Sequence, residues 1–295
     1  MEHVAGNSNK ITRDYLDSLL IETRYLDSTN PTLDFTLYGE HFASPIMTAA
    51  LSHLDHFMFP GATEAYAKGA ADAQAVLWIG MAEDAEIEMC QASGAKVVEI
   101  IKPYKDRDLI YKKIDHAKSL GLLAVGIDID HPFADDGGVD VVDGYEMKAM
   151  TTQELTGICA YTDLPVIVKG VLSVRDADRS LAAGAQGIVL SHHNNRITYA
   201  VPPLAVLPEI KEAVGGAAAI FVDGEIKTGM DAFKALALGA TGVCIGRPLM
   251  AAMREDKERG VLNALRKANE ELAKAMAYTG CTDLSKMDPT VIRSL

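Results

Sequence analysis

The sequence has few aromatic residues and few cysteines, and both shortages restrict what it can be. Aromatic side chains make up 6% of the 295 residues, whereas the hydrophobic fraction as a whole reaches 48%. A core built mainly from Ala, Val, Ile and Leu suits parallel strands that helices cover on their outer side. None of the four cysteines stands in a C-x-x-C pair, so the sequence gives no indication of a zinc site, and we expect reduced thiols.

Basic residues are scarce relative to acidic ones, with 28 against 41 and a net charge of −13. Such a surface repels the phosphates of nucleic acid, so we expect no nucleic-acid partner, and an anionic ligand would need a local positive site. The sequence also lacks a membrane-length apolar run and a basic segment followed by an apolar one at its N-terminus. We therefore expect a cytoplasmic protein that makes no membrane contact.

Eight short aliphatic runs that end in polar residues or glycine predict eight β-strands. They cover 45–51, 75–79, 96–101, 123–129, 165–170, 187–191, 219–224 and 242–246. Helix-like segments lie between them at 60–74, 106–121, 173–184, 202–214 and 229–239. We expect Ser173 and Asp84 to cap helix N-termini, and Gly121, Gly184 and Gly239 to end helices. This alternation predicts an α/β protein of the (β/α)₈ TIM-barrel type.

The chain shows no linker, so we predict a single domain over 1–295. Residues 1–43 would form an N-terminal extension, with a helix over about 10–25 and a hairpin over the barrel base. The barrel would span 44–250, and 251–295 would form a C-terminal segment with an amphipathic closing helix over 262–278. The Asp- and Gly-rich stretch 131–154 is expected to be a long mobile loop at the functional end.

Polar and ionisable residues follow the predicted strands, and the carboxyl ends of barrel strands form the active site in this architecture. The stretch LSHHNNR (190–196) places two histidines and an arginine directly after the sixth strand. A carboxylate beside an imidazole fixes its tautomer and raises its basicity, so Asp130 with His193 predicts a general base. Arg196 offers a guanidinium that could clamp a carboxylate.

The last two strand ends, in DGEIKTG and IGRP, predict a phosphate site. Gly224, Lys227, Gly246 and Arg247 would supply backbone N–H groups and positive charge. Lys169, at the end of the fifth strand, would stabilise negative charge that develops on a cofactor or an enolate.

Each of these features also has a purely structural interpretation. The glycine motifs could be turns, Lys169 could extend its ammonium into solvent, and His193 could be a hydrogen-bonded structural residue. We interpret His192 and the two asparagines as mainly structural, and Trp78 as either a ligand cover or a core residue. The histidines in HLDHF (53–57) and the aspartates of 135–143 lack the ligand spacing of zinc or calcium sites, so no metal is expected.

Two longer stretches carry a family resemblance: VKGVLSVRDADRSLAAGAQGIVLSHHNNR and VDGEIKTGMDAFKALALGATGVCIGRP. They resemble the FMN-dependent α-hydroxy-acid oxidases and dehydrogenases, the family of glycolate oxidase and lactate oxidase. The resemblance is strong over about 164–282 and weaker over 44–132, where SPIMTAA and GIDIDHP also align. It implies an FMN-binding (β/α)₈ barrel that oxidises a small 2-hydroxy acid to the 2-keto acid, and assembly as a homotetramer.

The resemblance also implies roles for individual residues. His193 would take the proton of the substrate hydroxyl, Asp130 would hold that histidine, and Arg196 would bind the substrate carboxylate. The implied cofactor contacts come from the predicted strand ends: Ala49, Asp128, Lys169, Ser191, Asp223, Gly224, Lys227, Gly246 and Arg247.

Several positions depart from the family pattern. Glu225 stands where the family has the second glycine of D-G-G, and a carboxylate beside a phosphate is unfavourable unless it turns outward. Asn194 and Asn195 replace small residues after the base, the two substrate tyrosines and a second arginine have no counterpart, and Lys102 could replace that arginine. Two alternatives therefore stay open: a flavin- or phosphate-binding barrel with a regulatory role, and an FMN barrel of another reaction type, such as type 2 isopentenyl diphosphate isomerase.

Overall fold

An N-terminal extension precedes the barrel in the computed structural model, which describes residues 6–295. The first five residues of the predicted extension lie outside this range. The extension contains α1 (Ser8–Ser18), β1 (Leu19–Ile21) and the antiparallel hairpin of β2 (Phe35–Leu37) and β3 (Glu40–Phe42). The predicted hairpin is therefore present. It covers the amino end of the barrel, where the Tyr38 hydroxyl donates to the Gln186 carbonyl at 3.2 Å.

Eight parallel strands form the barrel, as the alternating pattern predicted. In chain order they are β4 (Ile46–Thr48), β5 (Val76–Gly80), β6 (Lys96–Ile101), β7 (Ala124–Asp128), β10 (Val166–Val171), β11 (Gly187–Leu190), β12 (Ala219–Val222) and β13 (Gly242–Ile245). Three other strands lie outside the barrel: β8 (Val141–Val142) and β9 (Tyr145–Glu146), which pair with each other after β7, and β14 (Ile292–Ser294). The first and second barrel strands meet at Leu51, which bridges Ile79 and accepts from the Gly80 N–H at 3.0 Å. That contact closes the barrel.

Helices cover the outside of the barrel. They are α2 (Leu54–Phe57), α3 (Ala62–Asp72), α4 (Asp84–Ala92), α5 (Arg107–Leu120), α6 (Thr152–Tyr161), α7 (Val174–Ala182), α8 (Pro203–Val214), α9 (Gly229–Ala237) and α10 (Arg247–Thr279), with 3₁₀ turns over Leu284–Lys286 and Pro289–Val291. Ser173 caps α7 as predicted, whereas the cap predicted at Asp84 is wrong because Glu83 holds that position and completes a capping box with Glu86. The closing helix predicted over 262–278 belongs to α10, which is kinked at Asp256 and Lys257.

Two apolar layers hold the fold together, one inside the barrel and one between the strands and the helices. Trp78 belongs to the inner layer: it is 1% exposed and packs edge-on against Phe221, with ring centroids 5.1 Å apart. It is therefore a core residue and not a ligand cover. Within residues 6–295, none of the helices has the length and apolar character needed to span a bilayer.

The two ends of the described chain are joined. β1 pairs antiparallel with β14, so that Leu20 lies opposite Arg293. Arg293 and Arg24 also reach the carboxylate of Glu22, and Arg24 bonds Asp288 at 2.6 Å. These contacts place the first and last segments of the fold side by side.

Candidate active site

The carboxyl ends of the barrel strands surround a cleft of about 460 Å³. Nine of the twelve site residues predicted from the sequence line it: Ala49, Lys169, Ser191, His193, Asp223, Gly224, Lys227, Gly246 and Arg247. Asp128 and Asp130 reach the cleft through hydrogen bonds to Lys169 and His193. Arg196 lies further out and faces the loop that follows β7. The barrel therefore brings the predicted residues together at one end.

A left-handed turn presents His193 to the cleft. Its φ is 48°, and Asn194 and Asn195 continue the turn with φ of 55° and 70°. Asparagine tolerates this conformation better than most residues, so the pair can take positions where the family has small residues. The Ser191 hydroxyl accepts from the His193 N–H at 3.1 Å and stabilises the start of the turn.

Asp130 orients the imidazole of His193. The Nδ1 atom of His193 lies 2.7 Å from the carboxylate, closer than the 3.2 Å that separates it from the Lys169 ammonium. We therefore assign the Nδ1 proton to the bond with Asp130, which leaves Nε2 free to accept a proton. Gly170 makes room for the carboxylate, because a Cβ there would lie 2.4 Å from the Asp130 Cγ and the residue has a φ of 100°.

Charges around His193 favour its protonated form. Burial and the ammonium of Lys169 lower the pKa of His193, but Asp128 and Asp130 outweigh them and raise it above its ordinary value. Burial raises the pKa of Asp130, and the neighbouring charge of Asp128 acts in the same direction. The histidine is thus a stronger base than a free imidazole, which suits proton abstraction.

Asp128 anchors two lysines beneath the site. Its carboxylate is 1% exposed and lies 2.6 Å from the Lys102 ammonium and 3.1 Å from that of Lys169. Burial opposes its ionisation, but Lys169, His193 and Lys102 outweigh burial and hold its pKa well below the usual range. Lys102 is therefore committed to Asp128, and the idea that it replaces a second substrate arginine is not supported by its position.

The same carboxylates form a cluster with His193 whose ligand-type atoms lie within 4.8 Å of one another. The ammonium groups of Lys102 and Lys169 already neutralise Asp128, which is one member of this cluster. A divalent cation would have to displace them against their charge, so we do not interpret the cluster as a metal site.

Arg196 is held by the loop that joins β7 to α6. Its Nη2 atom donates to the Phe133 carbonyl and lies 2.5 Å from the Asp140 carboxylate. The Nδ1 atom of His131 is 2.7 Å from the same carboxylate, and the His131 ring lies edge-on to His193 with centroids 4.9 Å apart. Burial, with the positive charges of Lys102, His193 and Arg196, lowers the pKa of His131 to about 4. His131 is therefore a neutral neighbour of the candidate base at ordinary pH.

Lys227 and Arg247 form the positive end of the cleft, as predicted, but a carboxylate lies between them. The Glu225 side chain is 3% exposed, with one oxygen 2.7 Å from the Lys227 Nζ and the other 2.7 Å from the Arg247 Nη1. The Glu225 carboxylate therefore does not turn outward, so the unfavourable case noted in the sequence applies. Gly224, with a φ of 94°, makes the turn that aims this segment into the cleft.

Helix α1 supports the site from outside, which the sequence pattern did not indicate. The Thr12 hydroxyl lies 3.0 Å from the Nε2 of His192, and the Asn9 amide donates to Asn194 at 2.9 Å. Asn194 also accepts from Arg247 at 2.8 Å, so it contributes to the positive end and is more than a turn residue. The contacts of Thr12 and Asn9 join residues about 180 positions apart, and local sequence carries no signal for them. The sequence pattern did not indicate Asp140 and His131 either, because the loop that carries them has no hydrophobic periodicity.

Comparisons with known proteins identify chains that are similar to this one over most or part of their length. The chain is 30% identical to glycolate oxidase 2 of Oryza sativa subsp. indica over 293 residues, covering 86% of this chain and 79% of that protein. It is 41% identical to L-lactate oxidase of Roseobacter sp. (strain GAI101) over 162 residues, or 55% of this chain and 44% of that one. A solved mandelate oxidase mutant with the monooxide FMN adduct superposes with a TM-score of 0.89 at 30% identity, covering 99% and 93% of the two chains.

A family model matches nearly all of the sequence. The model describes FMN-dependent dehydrogenases, and it aligns with residues 4–150 and 135–294. The strand ends that carry the base, the lysine and the two glycine turns lie within these matches. The chain therefore belongs to the FMN-dependent dehydrogenase family.

Proposed function

We propose that this protein is an FMN-dependent oxidoreductase that oxidises a small 2-hydroxy acid, lactate- or glycolate-like, to the 2-keto acid. The observation that carries the proposal is the 2.7 Å pair of His193 and Asp130 at the mouth of the cleft, with the Lys169 ammonium 3.2 Å from the imidazole. The relatives named above are oxidases of glycolate, lactate and mandelate, which supports the same substrate class. They lend no support to the regulatory or isomerase alternatives.

The cleft fits FMN over most of its length. A buried ammonium, that of Lys169, suits an electron-accepting ring, while the Ser191 hydroxyl and the Asp223 carboxylate suit the hydroxyls of a ribityl chain. Lys227 and Arg247 supply the charge that a phosphate requires. Glu225 departs from this fit because it already pairs with both cations.

In the proposed reaction, His193 accepts the proton of the substrate hydroxyl at Nε2. Asp130 holds the ring and stabilises the imidazolium that forms. Arg196 binds the substrate carboxylate once Asp140 has moved from it, since charge-assisted pairs of this kind orient a carboxylate well. A bound FMN would supply the acceptor for the carbon-bound hydrogen and the two electrons that leave with it. The alcohol carbon thereby becomes the carbonyl carbon of the 2-keto acid.

The test is anaerobic addition of 2-hydroxy acids to the FMN-loaded protein while the visible absorption is recorded. We expect bleaching by lactate or glycolate, and a loss of about 10²- to 10⁴-fold in its rate for His193→Gln, the scale of general-base catalysis. His41→Gln, on the exposed hairpin at the opposite end of the barrel, is the matched control and should keep the wild-type rate. An unchanged rate in His193→Gln, or no bleaching by any acid of a broad panel, would contradict the proposal.

Two further parts of the proposal rest on the resemblance and on composition. We propose a homotetramer, which light scattering on the purified protein can measure. We also propose a cytoplasmic location, in keeping with the free thiols of the described cysteines. Fractionation of the source cells would test the location.

A further inference from the structure

We propose that Glu225 determines how strongly the site selects the phosphate group of its flavin. With this carboxylate in place, the protein discriminates between FMN and phosphate-free riboflavin by a much smaller factor than its two cations alone would give. The inference rests on the proposed flavin site and concerns the affinity of that site, not the oxidation step.

The position of the carboxylate carries the argument. Its two oxygens each lie 2.7 Å from a cation, Lys227 on one side and Arg247 on the other, and the side chain is 3% exposed. A carboxylate that pairs with two cations at the positive end of an anion cleft occupies the place of an anionic ligand group. Glu225 thus acts as an internal substitute for a phosphate.

The surrounding contacts keep Glu225 in this place. Its backbone carbonyl accepts from the Arg13 guanidinium at 3.0 Å, and Arg13 also holds the Asp231 carboxylate at 2.8 Å. On the far side, Arg247 donates to Asn194 at 2.8 Å. The backbone at Glu225 and the Arg247 side chain are therefore held from both sides.

The local charge explains why Glu225 weakens the selection of FMN over riboflavin. Lys227 and Arg247 contribute two positive charges, and Glu225 reduces the local sum to one. A phosphate monoester carries about −1.5 to −2 at pH 7. FMN must either bind beside a like charge or displace the buried carboxylate from both partners, and each route costs affinity. Riboflavin carries no phosphate and meets neither cost.

The experiment is a titration of the flavin-free protein with FMN and with riboflavin, followed by the quenching of flavin fluorescence. Glu225→Gln removes the charge and keeps the size of the side chain. We expect it to raise the affinity for FMN about tenfold or more, the scale of one charge-assisted contact, and to leave riboflavin within about twofold. Glu225→Gly, which also removes the strain of a φ of 60°, should raise FMN affinity in the same selective way.

Glu209→Gln, an exposed carboxylate on α8, is the matched control and should change neither affinity. If both Glu225 variants keep the wild-type ratio of FMN to riboflavin affinity, the inference is wrong while the proposed function stands. If neither flavin binds to the wild type or to either variant, the proposed function fails and the inference fails with it. The titration thus separates the two failures without an activity assay.

Discussion

At the scale of single residues, the hydrogen bond between His193 and Asp130 sets the basicity of the site. His193 accepts a proton only when neutral, and the balance of its neighbours holds its pKa above the ordinary 6.5. Since kcat/KM reports the free enzyme, it should fall as pH drops below this raised pKa. Without the carboxylate of Asp130, His193 would stay neutral down to a lower pH, but it would be a weaker base.

Asp130→Asn should therefore shift the acidic limb of the kcat/KM profile to lower pH. Burial and Lys169 already lower the pKa of His193, and the variant removes one of the two carboxylates that outweigh them. The plateau should also drop, because an amide no longer stabilises the imidazolium. The measurement is kcat/KM against pH for wild type and variant, with the exposed Asp135→Asn as control. A limb that stays in place, or moves to higher pH, would contradict the role given to Asp130.

At the scale of elements, the connection from β7 to α6 contacts both the candidate base and Arg196. It includes the hairpin of β8 and β9, and Asp140 from this connection pairs with Arg196. The connection thus places a carboxylate of its own where a substrate carboxylate is expected to bind. In the proposed reaction, the substrate would therefore compete with Asp140 for the Arg196 guanidinium.

Asp140→Asn should lower KM for a 2-hydroxy acid by about threefold to tenfold, because it removes a charged competitor from Arg196. We expect kcat to stay close to the wild-type value, since Asp140 has no role in the proton transfer. Steady-state kinetics over a range of substrate concentrations provide the measurement, and the exposed Asp136→Asn in the same loop is the control. A higher KM in Asp140→Asn would mean that the pair serves to position Arg196 for the substrate.

At the scale of the whole molecule, one acid in the helix-facing layer couples the stability of the barrel to pH. Glu99 is 1% exposed, and one of its carboxylate oxygens has no hydrogen-bond partner among residues 6–295. Burial raises its pKa to about 7, against the lowering effect of the Lys113 ammonium 3.6 Å away. The folded state therefore binds this proton more tightly than the unfolded state, and the corresponding stability is lost as pH rises from about 4.5 to about 7.

Glu99→Gln should remove this dependence. The free energy of unfolding of the variant minus that of the wild type should increase by about 2 kcal/mol between pH 4.5 and pH 8. This is less than the full linkage value because Lys113 can adjust its position. Denaturant unfolding at several pH values measures the difference, and Glu88→Gln on the surface of α4 serves as control. A difference that does not change with pH would show that Glu99 ionises in the folded protein as it does in water.

The sequence was sufficient to predict the barrel and most of the cleft, because both depend on local pattern. Aliphatic runs mark the strands, and polar residues directly after them, such as Lys169 and His193, must meet at one end of a parallel barrel. The inward position of Glu225 could not be predicted in the same way, since it depends on where two distant cations lie. The contact between Asp140 and Arg196 could not be predicted either, because it joins residues 56 positions apart.

The pairing of β1 with β14 has a consequence for how the protein is made. Leu19 pairs with Ser294, far along the chain, and α1 directly precedes β1. During synthesis β1 must therefore wait until β14 has been made before the two strands can pair. We expect the cleft that α1 supports to mature only after β14 has left the ribosome, so a nascent chain that still lacks β14 should be unable to capture flavin.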